Sequence, residues 1–325
     1  MRYVIYGVGA VGGLIAARLH KQGHHVVLIA RGQTYDVLAR NGLQLADEEG
    51  SWTGRLEVAR QPSELALTSG DCVILAMKTQ DTLAAVQSLA AAAPVGMPIF
   101  CAQNGVQNEL IAQRFFANVY GLYVYVFAAT LVPGQVCCYT APSSGVLDVG
   151  RFAGEPDACA HSMASDLRAA GFDALARANI MEWKYAKLIA NLGNALTASY
   201  GDASAVPDLY EAAQEEGRAC LRAAGIAFVP KEEAFVRRRH LLPLKHVQGK
   251  PFPGSSAWQS LARGTGQTEV DYLSGEMVLL GRMHGVPTPL NSALQEQVRR
   301  MALTGSKPGS LDPREMRRKR LGAAS

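Results

Sequence analysis

Three groups of residues in this 325-residue chain have types and spacings suited to chemistry. The first is Gly7-Val8-Gly9-Ala10-Val11-Gly12, an unbroken G-x-G-x-x-G. It follows the apolar run Tyr3-Val4-Ile5-Tyr6 directly and opens a segment of small residues, so the chain passes through it from strand to helix. In that setting Gly7 permits the tight turn, Gly9 lets the backbone approach a pyrophosphate, and Gly12 allows close helix–strand packing. The N-terminal turn formed by Ala10, Val11 and Gly12 offers N–H groups and positive dipole density to phosphates. The second group closes the next β-rich run, Ile29-Ala30-Arg31-Gly32, where NAD-binding chains carry an acid for the ribose 2′-hydroxyl. Here Arg31 holds that place, and no acid follows until Asp36. A guanidinium pairs bidentately with a 2′-phosphate that a carboxylate would repel, so NADPH is expected rather than NADH.

The third group lies further along. Leu75-Ala76-Met77-Lys78-Thr79 puts Lys78 at the carboxyl end of one strand, and Cys101-Ala102-Gln103-Asn104-Gly105 puts Asn104 at the end of the next. Doubly wound sheets bind ligands outside those ends, so both residues are expected to look toward the dinucleotide. Far downstream, Lys187, Asn191 and Asn194 fall four and three residues apart, on one face of an expected helix. Partial burial beside Trp183 and Leu188 suits such a lysine to give up a proton near neutral pH. Lys184 lies within a turn of Lys187 and is a second candidate; the four-residue spacing to Asn191 favours Lys187.

These residues need elements to hold them. The first half alternates short apolar runs (Val26–Ile29, Cys72–Leu75, Pro98–Cys101) with helix-like stretches at 10–21 and 79–92. Continuous apolar strands separated by helices indicate a parallel sheet covered on both faces, an α/β Rossmann-type doubly wound fold. Leu43-Gln44-Leu45 and Leu56-Glu57-Val58 alternate more and are expected to pair as an edge hairpin. After Gly121 the pattern turns to antiparallel strand material punctuated by Pro133-Gly134 and Pro142-Ser143. From about Ile180 the chain reads as helix, one stretch running 209–224 and another from about Thr268 with Val270, Leu273, Met277 and Leu280 on one stripe. Three segments follow: an NADPH-binding domain at 1–178, an all-helical substrate and catalytic domain at 179–305, and a basic, mobile tail at 306–325.

Composition narrows the classes. Apolar residues at 48% and charged residues at 18% supply a packed core and exclude a disordered chain. The net charge of +4 is uneven, since the last fifteen residues hold five basic and two acidic side chains. A nearly neutral body argues against a nucleic-acid surface, which needs many phosphate contacts. No apolar run reaches membrane-spanning length. Six scattered cysteines without CxxC read as reduced core thiols of a cytoplasmic protein rather than as disulfides or a metal site. The apolar stripes of the helical half are compatible with a homodimer. A basic run, Arg237-Arg238-Arg239-His240 to Lys245-His246, is either a solvated face or a set of cations for a second anionic group on a substrate.

The ordered set of motifs resembles the ketopantoate reductase (2-dehydropantoate 2-reductase) family from Arg2 to about Arg300. The resemblance is carried by Gly7-x-Gly-x-x-Gly12, Arg31, Met77-Lys78, Asn104-Gly105, Lys187-x-x-x-Asn191, Ser255-Ser256 and Thr268-Glu269-Val270-Asp271-Tyr272. It implies NADPH-dependent reduction of a 2-oxo acid, most directly ketopantoate to pantoate on the route to pantothenate and coenzyme A, in a cleft between a Rossmann and a helical domain. By the same resemblance Lys187 protonates the ketone oxygen and Glu269 orients substrate and lysine. Asn191 binds the substrate hydroxyl, Ser256 its carboxylate, and Lys78 and Asn104 line the nicotinamide and substrate mouth. The helix reading alone leaves Glu276 beside Glu269; the family pattern selects Glu269. Two other classes stay in view: a reductase of a different 2-oxo acid or an imine, and a non-catalytic NADPH-binding regulator.

Overall fold

The computed structural model describes residues 1–322. In chain order it runs β1 (Arg2–Tyr6), α1 (Ala10–Lys21), β2 (His25–Ile29), α2 (Gly32–Asn41), β3 (Leu43–Asp47), β4 (Gly50–Gly54), β5 (Glu57–Ala59) and β6 (Asp71–Leu75). It continues with α3 (Thr82–Ala90), β7 (Ile99–Cys101), α4 (Gln107–Gln113), β8 (Val119–Tyr125), β9 (Ala128–Ala129), β10 (Gln135–Cys138), β11 (Val146–Arg151) and α5 (Ala158–Ala169). The rest is helical: α6 (Ile180–Asn191), α7 (Gly193–Tyr200), α8 (Pro207–Ala223), α9 (Lys231–Arg238), α10 (Ser256–Ala262), α11 (Ser274–His284), α12 (Pro289–Thr304) and α13 (Pro313–Gly322). Two compact units result, one of residues 1–184 with 230–252, the other of 185–229 with 253–325.

In the first unit a seven-stranded sheet has the order β11-β8-β7-β6-β1-β2-β5, parallel throughout except for β11 on β8. Alternate residues feed two cores, as the pleat requires. Tyr3, Ile5, Leu28 and Ile74 pack with Leu14, Ile15 and Leu167 on one face. Val4, Tyr6, Val73 and Leu75 pack with Val86, Leu89 and Phe116 on the other. This is the doubly wound α/β sheet that continuous apolar strands lead one to expect. A smaller sheet, β4-β3-β10-β9, lies apart from it in the strand pairing.

The expected hairpin between Leu43–Leu45 and Leu56–Val58 does not form. β3 turns back on β4 instead, because Asp47 Oδ1 accepts from the Glu49 amide at 3.0 Å and Gly50 takes φ +137°. That two-residue turn frees β5 to extend the large sheet beside β2.

The basic run also departs from expectation, since residues 230–252 belong to the first unit rather than to the helical half. Asp148 on β11 is fully buried and draws the run inward. It accepts from Arg237 Nη2 at 2.6 Å and Arg237 Nε at 2.9 Å, and from Arg177 Nε at 2.8 Å. Asp173 takes the other edge of Arg237, which holds its carboxyl below the usual range. The Arg238 guanidinium sits 4.5 Å over the Tyr125 ring, and Lys245 pairs with Glu48 at 3.0 Å. Phe252 packs on Phe127 and Tyr139. Arg237, Arg238 and Lys245 are thus fasteners within the first unit, engaged by Asp148, Tyr125 and Glu48 rather than held out for a second substrate anion.

The second unit is a helical bundle around Leu192, Leu196, Leu209, Leu221, Met277, Leu294 and Val298. The helix through Lys187 and Asn191 runs on through Leu192, whose φ −61° and ψ −25° are helical, into α7; at Gly193 a Cβ would meet the Tyr210 ring at 2.9 Å, and Tyr210 donates to the Ala190 carbonyl at 3.0 Å. One expected helix is interrupted. The stripe from Val270 breaks at Leu273 (φ −115°, ψ −88°), leaving a short 3-10 turn at Val270–Tyr272 ahead of α11. Asp271 holds that turn by accepting from Gln295 at 2.8 Å.

The segment expected to be mobile carries α13. Gly309 and Leu311 donate to the carbonyls of Ala198 and Ser199, Met316 is buried, and Arg317 pairs with Asp208 at 2.7 Å. The end of the expected mobile segment, residues 323–325, lies outside the described residues.

Candidate active site

The first unit builds a phosphate cradle at the carboxyl edge of β1. Gly7 adopts φ +100°, and a Cβ there would meet the Met77 amide nitrogen at 2.5 Å, so the turn tolerates no side chain. At Gly12 a Cβ would lie 2.1 Å from the Gly7 carbonyl oxygen and 2.9 Å from Ala76 Cβ, the close helix–sheet packing expected of that glycine. Gly9 has nothing within 4 Å of its ideal Cβ, which leaves an open approach. It also caps α1, where no side chain accepts from the helix N-terminus and the first turn is free of acids. The twelve-residue α1 therefore presents its amide end and positive dipole to an anion. These features fit a dinucleotide pyrophosphate, with Ala10, Val11 and Gly12 supplying the first helical turn.

Arg31 stands where β2 gives way to α2, at the N-cap of that helix. Its side chain is 59% exposed and its guanidinium is 3.9 Å from Asp81, a loose pair that a dianionic 2′-phosphate can replace. The chain thus puts a solvent-facing cation at the end of β2, with Asp81 as its nearby acid.

Lys78 and Asn104 follow adjacent strands, β6 and β7, and both are half-buried. A buried side-chain network that motif spacing did not announce ties their loops together. Gln103 Nε2 donates to Thr82 Oγ1 at 2.7 Å, and Thr82 Oγ1 donates to Asn108 Oδ1 at 2.7 Å. Asn108 Nδ2 reaches the Asn104 carbonyl at 3.0 Å and Thr79 Oγ1 at 3.3 Å. Polar residues spaced within a Gly/Asn-containing loop and the following helix turn were the available signal.

The two lysines of α6 separate cleanly. Lys184 is buried and paired with Glu109, which is itself fully buried. Burial pushes the Glu109 carboxyl up, and the Lys184 ammonium opposes that rise. Lys184 is therefore spent on the protein interior. Lys187 is half-buried one turn on, four residues before the half-buried Asn191.

In the second unit, Ser256 opens α10 and its Oγ lies 3.4 Å from Asn194 Nδ2 of α7. Ser255 is the N-cap: its Oγ accepts from the Trp258 amide at 3.3 Å and meets Thr197 Oγ1 at 2.5 Å. Of the two serines, Ser255 is committed to starting the helix and Ser256 is the one beside an amide side chain. Trp258 serves as the residue whose amide is capped. Glu269 is half-buried and starts the turn at Val270–Tyr272, so it does not ride on the long helix with Glu276, which is buried within α11. Arg263, unflagged by sequence, lies within electrostatic reach of Glu269.

Residues 3–154 match the ketopantoate reductase PanE/ApbA family and residues 179–302 match its C-terminal domain. The 2-dehydropantoate 2-reductase of Archaeoglobus fulgidus is 29% identical over 309 residues, spanning 92% of this chain and 97% of that protein. The crystal structure of the PanE/ApbA family ketopantoate reductase from Ralstonia eutropha JMP134 superposes with a TM-score of 0.77 at 28% identity, covering 94% of this chain and 99% of that one. A D-mandelate dehydrogenase solved with NADH and anilino(oxo)acetate shares the fold, with a TM-score of 0.80 at 24% identity over 94% of this chain and 99% of that chain. Matches to both family domains, in order and across most of the chain, place this protein in the ketopantoate reductase family of NADPH-dependent oxidoreductases.

Proposed function

We propose that the protein reduces ketopantoate to pantoate with NADPH. The observation that carries this reading is the conjunction of an uncapped glycine cradle followed by an exposed Arg31 with a half-buried Lys187-x-x-x-Asn191 pair on α6. NADPH, when bound, supplies the hydride. Gly7, Gly9 and Gly12 admit its pyrophosphate, and Arg31 takes its 2′-phosphate by charge-assisted hydrogen bonds. Lys78 and Asn104 orient the nicotinamide end and the mouth of the substrate site.

Reduction of a ketone builds negative charge on oxygen, and a proton must reach that oxygen. Lys187 supplies both needs, as a cation that stabilises the developing alkoxide and as the acid that protonates it. Glu269 orients lysine and substrate, Asn191 holds the substrate hydroxyl, and Ser256 with its Asn194 neighbour receives the carboxylate.

A panel of 2-oxo acids, followed by the loss of NADPH absorbance, tests the reading. Ketopantoate is expected to show the highest kcat/KM. A larger value for another oxo acid or an imine keeps the chemistry and replaces the substrate. Tight NADPH binding with no turnover on any compound returns the chain to the regulator class.

A further inference from the structure

Lys184 reaches both stems of one loop. Its Nζ donates to the Gln103 carbonyl at 3.0 Å and to the Cys101 carbonyl at 3.4 Å, just ahead of Asn104-Gly105. It also pairs with Glu109 on α4, just after them. The side chains are 3% and 0% exposed. An ammonium has three donors, and here a carboxylate and two carbonyls are present to take them.

The sheet is cut away to admit this pair. Gly121 on β8 has Lys184 Cδ 3.2 Å and Glu109 Oε1 3.3 Å from where its Cβ would stand. Its partner across the strands, Gly150 on β11, would meet Ile180 Cβ at 2.7 Å and the Arg177 carbonyl oxygen at 2.3 Å. Two facing glycines thus form a slot for the first turn of α6, and Trp183 closes its side by an edge contact with Tyr123. Packing alone gives no reason for charge in such a slot, because apolar residues of similar volume are commonly as stable as a buried ion pair or more so. What the charged pair adds is direction, since it fixes where two carbonyls and a helix end stand.

We propose that Lys184 and Glu109 are positioning residues that clamp the Gln103–Gly105 loop in the shape that receives the nicotinamide half of NADPH. The proposal rests on the reading above in that it takes this loop to face the nicotinamide. It assigns the pair no contact with cofactor or substrate. The clamp acts on Asn104 through the backbone on either side of it, alongside the Asn108 side chain that holds the Asn104 carbonyl.

The test uses the full chain with Lys184 and Glu109 replaced together, Lys184→Met with Glu109→Leu, which leaves no orphaned charge. Three quantities are read beside the thermal midpoint: amide hydrogen exchange over residues 102–106 without ligand, the Kd for NADPH, and the Kd for adenosine 2′,5′-bisphosphate, which probes the adenine half alone. At an unchanged midpoint, exchange in the loop is expected to quicken about tenfold and NADPH to bind on the order of tenfold more weakly, as misplacement of a positioned group implies. Adenosine 2′,5′-bisphosphate is expected to keep its affinity. Wild-type exchange, or faster exchange with wild-type NADPH affinity, overturns the proposal. Should the double variant fail to fold, Gly121→Ala decides: it keeps both charges, crowds the lysine stem, and is expected to shift exchange and NADPH affinity the same way by about threefold. No shift in that variant overturns the clamp. These readouts need no substrate, so a silent oxo-acid panel with the predicted binding changes removes the proposed function and leaves the clamp standing.

Discussion

Lys184 and Lys187 leave the same helix three residues apart and meet opposite surroundings. Lys184 is 4% exposed, with its charge matched by Glu109 and the carbonyls of Cys101 and Gln103. Lys187 is half-buried, at the point where α6 has passed into the second unit. A cation enclosed by a full set of acceptors is a fixed part of the framework, since moving its proton would strand a buried carboxylate. A cation with one side toward solvent can exchange its proton with a ligand. The difference between them is one of depth.

Four measurements sharpen or break that contrast. Lys187→Ala is expected to lower kcat by roughly 10²–10⁴-fold, the range for loss of a general acid, with the thermal midpoint nearly unmoved. Near-wild-type turnover would move the chemistry off Lys187. Lys184→Met alone should do the reverse, lowering stability by about 3–5 kcal/mol in urea unfolding because Glu109 is left buried and unpaired. A loss below about 1 kcal/mol would mean that the carboxylate finds water or a proton at little cost.

Arg31→Ala extends the comparison to a solvent-facing cation, loosely paired with Asp81, that is proposed to meet the 2′-phosphate. NADPH affinity should fall roughly 10- to 100-fold, the worth of a charge-assisted hydrogen bond, and NADH affinity should hold. Equal losses for both cofactors would take the 2′-phosphate away from Arg31. The smallest effect is expected at the rim, where the hydrogen bond from Arg237 depresses the Asp173 carboxyl. A depressed carboxylate stabilises the fold above its unfolded pKa of about 3.9, and that contribution is lost as pH falls through the lower folded value. Asp173→Asn should therefore flatten the acid limb of urea midpoint against pH below about pH 4. An unchanged slope there would show that Arg237 is held by Asp148 alone.

Much of the site was legible because it rests on local rules. The glycines of the cradle are dictated by a backbone that turns at Gly7 and a helix that touches the sheet at Gly12, and such needs are written in consecutive residues. Arg31 was legible for the same reason, as a residue fixed by the end of a strand. What escaped depends on long-range partners. Nothing near Arg237 in sequence announces Asp148, 89 residues away. The turn before α11 is held by Gln295, and an uninterrupted apolar period concealed it. Nothing in the residues around Glu109 announces Lys184, 75 positions later.

The return of residues 230–252 to the first unit has a consequence for how the chain is made. On the ribosome the nucleotide-binding unit cannot be completed when its last strand emerges, because Arg237, Val247 and Phe252 arrive some hundred residues later. Until then Asp148 lacks Arg237 and is answered by Arg177 and the Leu175 amide, and the apolar patch around Phe127 and Tyr139 lacks Val247 and Phe252. Residues 185–229 of the helical unit are synthesised in that interval. Neither unit is a contiguous stretch that a truncation could release whole.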